Sequence, residues 1–253
     1  PPPPPPPPRP PPFFFSTLTP QPPILSGLVG SEMCIRDRYT TKNLDNKGMK
    51  MLSVYNLECK RNERTIFSNI NFSLKKGEGL VLRGANASGK TSLLQILSGL
   101  LKPFTGAITW NGKNIIDEIE EFKANIIYSG HKNGVRATLT VEENLTFWAT
   151  LLLNKKPYKK TIGTALKKYN ISHLAETPCH MLSAGQIKKV ALCRVLISKA
   201  TIWILDEPDN SLDTKNISIL KKSLIQHLRL GGIFILATHR NFDIRNTKII
   251  TLG

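Results

Sequence analysis

The chain is short of acids, cysteine and aromatic rings, and it has no long apolar run. Against 35 Lys and Arg it sets only 18 Asp and Glu, a formal charge of +17. That balance suits nucleic acid, an anionic membrane face or nucleotide phosphates as partners. The lysines of NKKPYKK (154–160) and ALKKYN (165–170), however, read as solvated faces. Aromatics make up 7% of the residues, and no basic stretch is interleaved with stacking rings, so little speaks for nucleic acid. The four cysteines (Cys34, Cys59, Cys179 and Cys193) form no C-x-x-C pair, which argues against a zinc site or a disulfide framework. They read as free thiols in a reducing compartment, with Cys193 in a helical apolar pattern as core. No run reaches the ~18 apolar residues of a membrane helix, so no membrane span is expected.

What is there begins badly. PPPPPPPPRPPPFFF is low complexity that cannot build a core, and LSGLVGSEMCIRDRYT looks like a translated sequencing adaptor. Residues 1–48 are set aside as disordered, against the rival readings of a targeting peptide or a proline-rich ligand. The expected domain is 49–253, starting naturally at Met49 or Met51.

Within it, GANASGKT (84–91) fits G-x-x-x-x-G-K-[ST]. The preceding GLVLRG suits a buried strand, and Leu93, Leu94, Leu97 and Leu101 recur at helical spacing. Strand, loop and helix together form an anion trap. The N–H groups of Gly84, Ala85, Asn86, Ala87, Ser88 and Gly89 and the helix N-terminus point at phosphate oxygens, with Ser92 just inside. Lys90 reaches the terminal phosphates and Thr91 suits Mg²⁺. Many such loops carry glycine where this one has Ala87, and a positive φ there costs an L-residue on the order of 1 kcal/mol.

A phosphate loop alone serves kinases, GTPases, motors and transporters. The later motifs discriminate. ATIWILDEPDNSLD (200–213) is an apolar strand ending in adjacent carboxylates. Asp206 can hold Mg²⁺, while Glu207 points elsewhere and can activate a water. MLSAGQIKKVALCRVL (181–196) places Ser183, Ala184 and Gly185 before a helix whose buried face is marked by Ile187, Val190, Ala191 and Val195. A hydroxyl, a glycine and a helix N-terminus make a second anion site. Since the chain's own loop already holds a nucleotide, this one is expected to close over a partner's.

Residues 51–253 therefore resemble an ABC-type ATP-binding cassette: Gly84–Thr91 match its Walker A, LSAGQ its signature, TIWILDEP its Walker B, SLD (211–213) its D-loop, and ILATHR (235–240) its switch histidine, His239. The resemblance implies an α/β P-loop NTPase fold with an antiparallel β part (about 51–75 and 104–116) and a helical subdomain (about 132–195). It implies two cassettes dimerising head to tail around two ATP. Ser183, Gly185 and Gln186 then face the twin's nucleotide, Lys90 and Thr91 hold phosphate and Mg²⁺, Glu207 is the base, and His239 holds the γ-phosphate and water.

Three stretches (57–78, 128–148 and 182–208) resemble more narrowly the ATP-binding subunits of the cytochrome c maturation haem exporters. Where cassettes place an aromatic over adenine this chain has Arg61, whose plane could stack instead. Where they place the metal-side Gln it has His131. Trp148 reads as core. The implied partners are membrane-spanning subunits docking around His131 to Trp148, at the cytoplasmic face in bacteria or the matrix face in mitochondria. No Cys-His cluster suggests direct haem binding. Two alternatives stay open: a cassette serving another importer or exporter, and a soluble cassette acting on nucleic acid.

Overall fold

The computed structural model describes residues 50–153 and 158–253, so the readings of residues 1–48 and of the Met49 start lie outside the described residues. The first two strands, β1 (Lys50–Arg61) and β2 (Arg64–Lys75), meet in a two-residue turn in which Asn62 and Glu63 both have positive φ (46° and 62°). This geometry matches the right-handed twist of the strands it joins. β3 (Gly79–Gly84) leads into α1 (Lys90–Leu97). β4 (Thr105–Trp110) and β5 (Lys113–Asn114) complete an antiparallel sheet of order β2-β1-β4-β5, which is the early β part the sequence predicts.

After α2 (Ile119–Ala124) comes β6 (Ile126–Ser129), and then the helical segment: α3 (Val141–Leu152), α4 (Lys159–Lys168) and α5 (Ala184–Ile197). β7 (Ile202–Asp206), α6 (Thr214–Arg229), β8 (Ile233–Ala237) and β9 (Thr247–Leu252) close the chain. The second sheet is all parallel, in the order β6-β7-β8-β3-β9.

Every residue of β7 and β8 is buried, because both faces of the sheet are covered. Alternation sorts them. Ile202, Ile204, Ile233 and Ile235 join the core shared with the antiparallel sheet and α1, while Trp203, Leu205, Phe234 and Leu236 join the core under the helical segment. The C-terminal ends of β3 and β7 thus emerge side by side with β8 between them, the position at which open parallel sheets bind ligands.

Three sequence expectations change. α1 ends at Leu97, stopped by Ser98 and by Gly99 in the left-handed region (φ 71°), so Leu101 packs on the same core from outside the helix. α5 is buried almost all round, not along one stripe, because the parallel sheet flanks it on one side and α3 and α4 on the other; Ile187 is only partly covered. Trp148 is half-buried, not core: its Nε1 donates to the Gly134 carbonyl at 3.2 Å, and the Arg194 guanidinium lies 4.5 Å from its ring centroid. Cys193 is fully buried, as expected.

Candidate active site

Gly84 cannot carry a side chain. A Cβ there would sit 2.2 Å from the Leu252 carbonyl oxygen and 2.5 Å from Ser88 Oγ. The loop then rises through an exposed crest, Ala85 to Ala87, and Ala87 adopts the left-handed region expected of it (φ 64°). Gly89 (φ 96°) precedes α1, and no side chain caps that helix. The first N–H groups of α1 are left for an anion. Lys90 is buried, its Nζ donating to the carbonyls of Gly84 and Ala85, both at 2.8 Å. Ser88 Oγ is buried without a partner, and Ser92 is buried within α1. A left-handed glycine, an uncapped helix and a lysine folded back on the loop form a cradle that could hold phosphate.

The Thr91 hydroxyl donates to Asp206 Oδ2 at 2.8 Å, across 115 residues of sequence. Burial pushes the Asp206 carboxyl above its ordinary range; the Thr91 bond opposes this, the neighbouring Glu207 adds to it, and His131 and Lys188 oppose it. Hydroxyl and carboxylate oxygens side by side at the phosphate cradle are a donor set for a hard divalent cation.

Glu207 leaves β7 in a left-handed conformation (φ 47°), its N–H bonded to the Ala237 carbonyl at 2.9 Å. The turn swings its carboxylate away from Asp206. Oε2 accepts from Asn210 Nδ2 at 2.5 Å, and Oε1 lies 3.4 Å from His239 Nε2. A carboxylate paired with an imidazole beside a phosphate cradle can take a proton from water.

The segment expected to form a second anion site lies at the surface. Ser183 and Ala184 are exposed and Gly185 half-exposed. Ser183 caps α5 in a reciprocal box with Gln186: Gln186 N–H donates to Ser183 Oγ at 3.3 Å, and Ser183 N–H to Gln186 Oε1 at 2.8 Å. The Gln186 amide is thereby engaged at home. Gly185 is glycine because the Ser211 carbonyl would lie 2.7 Å from a Cβ. The signature therefore rests directly on the segment that follows Walker B.

Residues 67–210 match the family model described as ABC transporter. The chain belongs to the ABC transporter family. The cassette is 40% identical, over 204 residues, to the cytochrome c biogenesis ATP-binding export protein CcmA of Paramagnetospirillum magneticum, covering 79% of this chain and 93% of the relative. To the protein of the same name from Escherichia coli O157:H7 it is 36% identical over 201 residues, covering 79% and 95%. Among solved structures it is similar in fold to an ATP-binding cassette described as a dimer in a post-hydrolysis state with ADP and Pi. That match has a TM-score of 0.70 and 24% identity, and covers 80% of this chain and 94% of the other. The cassette is thus an ATP-binding subunit that couples ATP hydrolysis to transport, and no described helix is long and apolar enough to cross a membrane.

The two departures from the family pattern are both exposed. Arg61 ends β1, paired in register with Arg64; two residues back, Cys59 pairs with Phe67, which packs with Ile66 against the position of Gly89. Arg61 is exposed. His131 follows β6 in an exposed loop, close enough to Asp206 for its charge to be felt there.

Sequence reasoning passed over three residues. Tyr128, at the end of β6, bonds to Gln95, and burial together with Asp206 pushes its hydroxyl up to about 12. Arg194 is buried in α5, donating to the Tyr128 carbonyl at 3.1 Å. Asn144 is buried in α3, where Oδ1 accepts from Arg136 N–H at 2.8 Å and Nδ2 donates to the Arg136 carbonyl at 3.0 Å. The only advance signal was that Arg and Asn stood in apolar helical patterns, where a polar residue needs a partner.

Proposed function

We propose that this cassette powers an export step of cytochrome c biogenesis in which membrane-spanning subunits handle haem. The observation that carries this reading is the identity of 36–40% with two relatives named for that export, spread over 93–95% of their length. The bacterial sources of those relatives favour the cytoplasmic face of the membrane; nothing in them supports the matrix alternative.

Two copies clamp ATP between the Gly84–Thr91 cradle of one and the Ser183–Gly185 tip of the other. Support comes from the exposure of that tip and from a fold match to a cassette described as a dimer. Lys90 and the α1 N–H groups hold phosphate oxygens. Ser183 Oγ and the Gly185 N–H approach the twin's terminal phosphate. Arg61 stacks its guanidinium on adenine. Thr91, Asp206 and His131 hold Mg²⁺, directly or through water; when bound, the ion neutralises charge on the phosphate oxygens. Glu207 takes a proton from the attacking water, and the 3.4 Å contact lets His239 share that proton while facing the transferred phosphoryl group. With the phosphate gone, the bridge between cradle and tip weakens and the dimer opens.

The membrane subunits dock on the segment from His131 to Trp148. It exposes Phe147, with Arg136 held 4.7 Å from that ring, and it is anchored to α5 through Arg194. Docking and signature therefore share a helix, which supports a mechanical link between them.

The test is complementation. In a bacterium deleted for its CcmA, the wild-type chain restores covalent cytochrome c and co-purifies with that system's membrane subunits. Glu207→Gln assembles but restores none. Failure to restore, together with capture of another transporter's membrane subunits, overturns the cytochrome reading and leaves the ATPase intact.

A further inference from the structure

Two residues past Glu207, a carboxylate is buried that neither cradle nor dimer tip calls for. Asp209 is 2% exposed. Its Oδ2 accepts from Thr238 Oγ1 at 2.9 Å and lies 3.3 Å from Arg240 Nε. Thr238 Oγ1 in turn accepts from Arg240 N–H at 3.0 Å. One carboxylate oxygen thus grips the residues on either side of His239. His239 makes no other polar contact among the described residues than the 3.4 Å approach to Glu207. On its own, an exposed imidazole on a loop has free χ1 and χ2; with both neighbours held, its backbone is fixed relative to β7.

Burying a carboxylate is costly, and a purely structural site would satisfy it fully. Asp209 is not fully satisfied: Oδ1 is buried with no hydrogen-bond partner among the described residues. A threonine or asparagine would serve the Thr238 hydroxyl at lower desolvation cost. What the charge adds is the hold on Arg240, whose side chain is mostly exposed and has no other described anchor. The cluster also reaches the signature helix. Lys188, buried one turn into α5, feels Asp206, Asp209 and Glu207, which oppose the lowering that burial imposes on its ammonium. Walker B, the switch segment and α5 therefore converge on Asp209.

We propose that Asp209 is a positioning residue for ATP hydrolysis: by holding Thr238 and Arg240 it sets the His239 imidazole against Glu207. This rests on Glu207 and His239 carrying hydrolysis, as proposed above. Asp209 touches neither the phosphates nor the attacking water, and its effect passes wholly through His239.

The experiment is a double-mutant cycle on the full chain, reading single-turnover and steady-state ATPase. Asp209→Ala lowers kcat roughly tenfold to a hundredfold, the scale of a displaced reacting group. KM for ATP stays within about twofold, because the cradle is untouched. Asp209→Asn keeps an acceptor oxygen for Thr238 but gives up the charge that holds Arg240, and so recovers only part of the rate. In a His239→Ala background Asp209→Ala costs nothing further, since the group it positions is gone. The His239 ring ¹H–¹³C resonance, assigned by its loss in His239→Ala, moves in Asp209→Ala and moves less in Asp209→Asn. Should Asp209→Ala fail to fold, Arg240→Met removes the ion pair from the exposed side and enters the same cycle. Additive losses, or an unmoved His239 resonance, overturn the proposal. Wild-type turnover by Glu207→Gln instead overturns the hydrolysis reading on which it rests.

Discussion

His239 Nε2 and Glu207 Oε1 stand 3.4 Å apart at the ends of neighbouring parallel strands, the ladder between those strands extended by the bond from Glu207 N–H to the Ala237 carbonyl. Glu207→Gln keeps the shape of this pair and the Asn210 contact but cannot accept a proton. Turnover is expected to fall about 10²–10⁴-fold, with ATP still bound. Size-exclusion chromatography with ATP should show a dimer that wild type forms only transiently. A variant that stays monomeric and still hydrolyses ATP removes Glu207 from the role of base.

The signature tip offers a test of the dimer that leaves the nucleotide cradle alone. A methyl group at Gly185 meets the Ser211 carbonyl at 2.7 Å, and a backbone oxygen cannot swing aside. Gly185→Ala should cost about 1–3 kcal/mol in overpacking and shift Ser183 relative to the segment after Walker B. Binding of a fluorescent ATP analogue by the monomer should persist. ATP-dependent dimerisation, measured in the Glu207→Gln background, should be lost. An unimpaired dimer would show that the tip does not face the twin's nucleotide.

Asn144 ties the loop before α3 to that helix through Arg136 and Leu139, with Nδ2 also donating to the Thr140 carbonyl at 3.0 Å. Asn144→Ala strands buried backbone groups at a cost of about 1–3 kcal/mol. At about 2–4 °C per kcal/mol for a domain of this size, Tm should drop by about 5 °C. Amide exchange should accelerate first at residues 136–140, ahead of β7 and β8. Uniform acceleration across the sheet would mean that Asn144 supports the whole fold and not the loop before α3.

Local chemistry made much of this molecule legible from its residues. GLVLRG followed by GANASGKT fixes a strand, a loop and a helix start, because only that order lets backbone N–H groups converge. The strain at Ala87 follows from the same loop geometry. The apolar run before Asp206 and Glu207 is long enough only for a strand buried on both faces. What stayed hidden are contacts made by the fold and not by the motif. Asp209 sits among turn residues, and its partners Thr238 and Arg240 lie 29 and 31 positions on. Trp148 has the spacing of a core residue, but a buried guanidinium from α5 lies over its ring, an arrangement that periodicity cannot foresee. Leu101 keeps helical spacing after the helix has ended, because Gly99 turns the chain while the apolar side chain still finds the core.

The last expectation concerns acid. His227 lies at the end of α6, its ring stacked on Trp203 (centroids 4.0 Å apart, planes 11° apart), with Nε2 3.1 Å from the carbonyls of both Thr201 and Ile233. Burial lowers its pKa below the ordinary 6.5, with the two carbonyl contacts opposing. A folded-state value below the unfolded one gives stability that is complete above about 6.5 and is lost as pH falls through the folded value. His227→Phe keeps an aromatic ring to stack on Trp203 and removes the proton site. At pH 8 the variant should be less stable than wild type by about 1 kcal/mol for the lost hydrogen bond. Because only wild type is destabilised by protonating this ring, the gap should shrink on acidification below pH 6.5 and close or invert by pH 5. Urea unfolding at pH 8, 6.5 and 5 reads this directly. A gap that is constant would mean that folding leaves the His227 pKa where it is in the unfolded chain, and one that widens with acid that the two carbonyls outweigh burial and favour the charged ring.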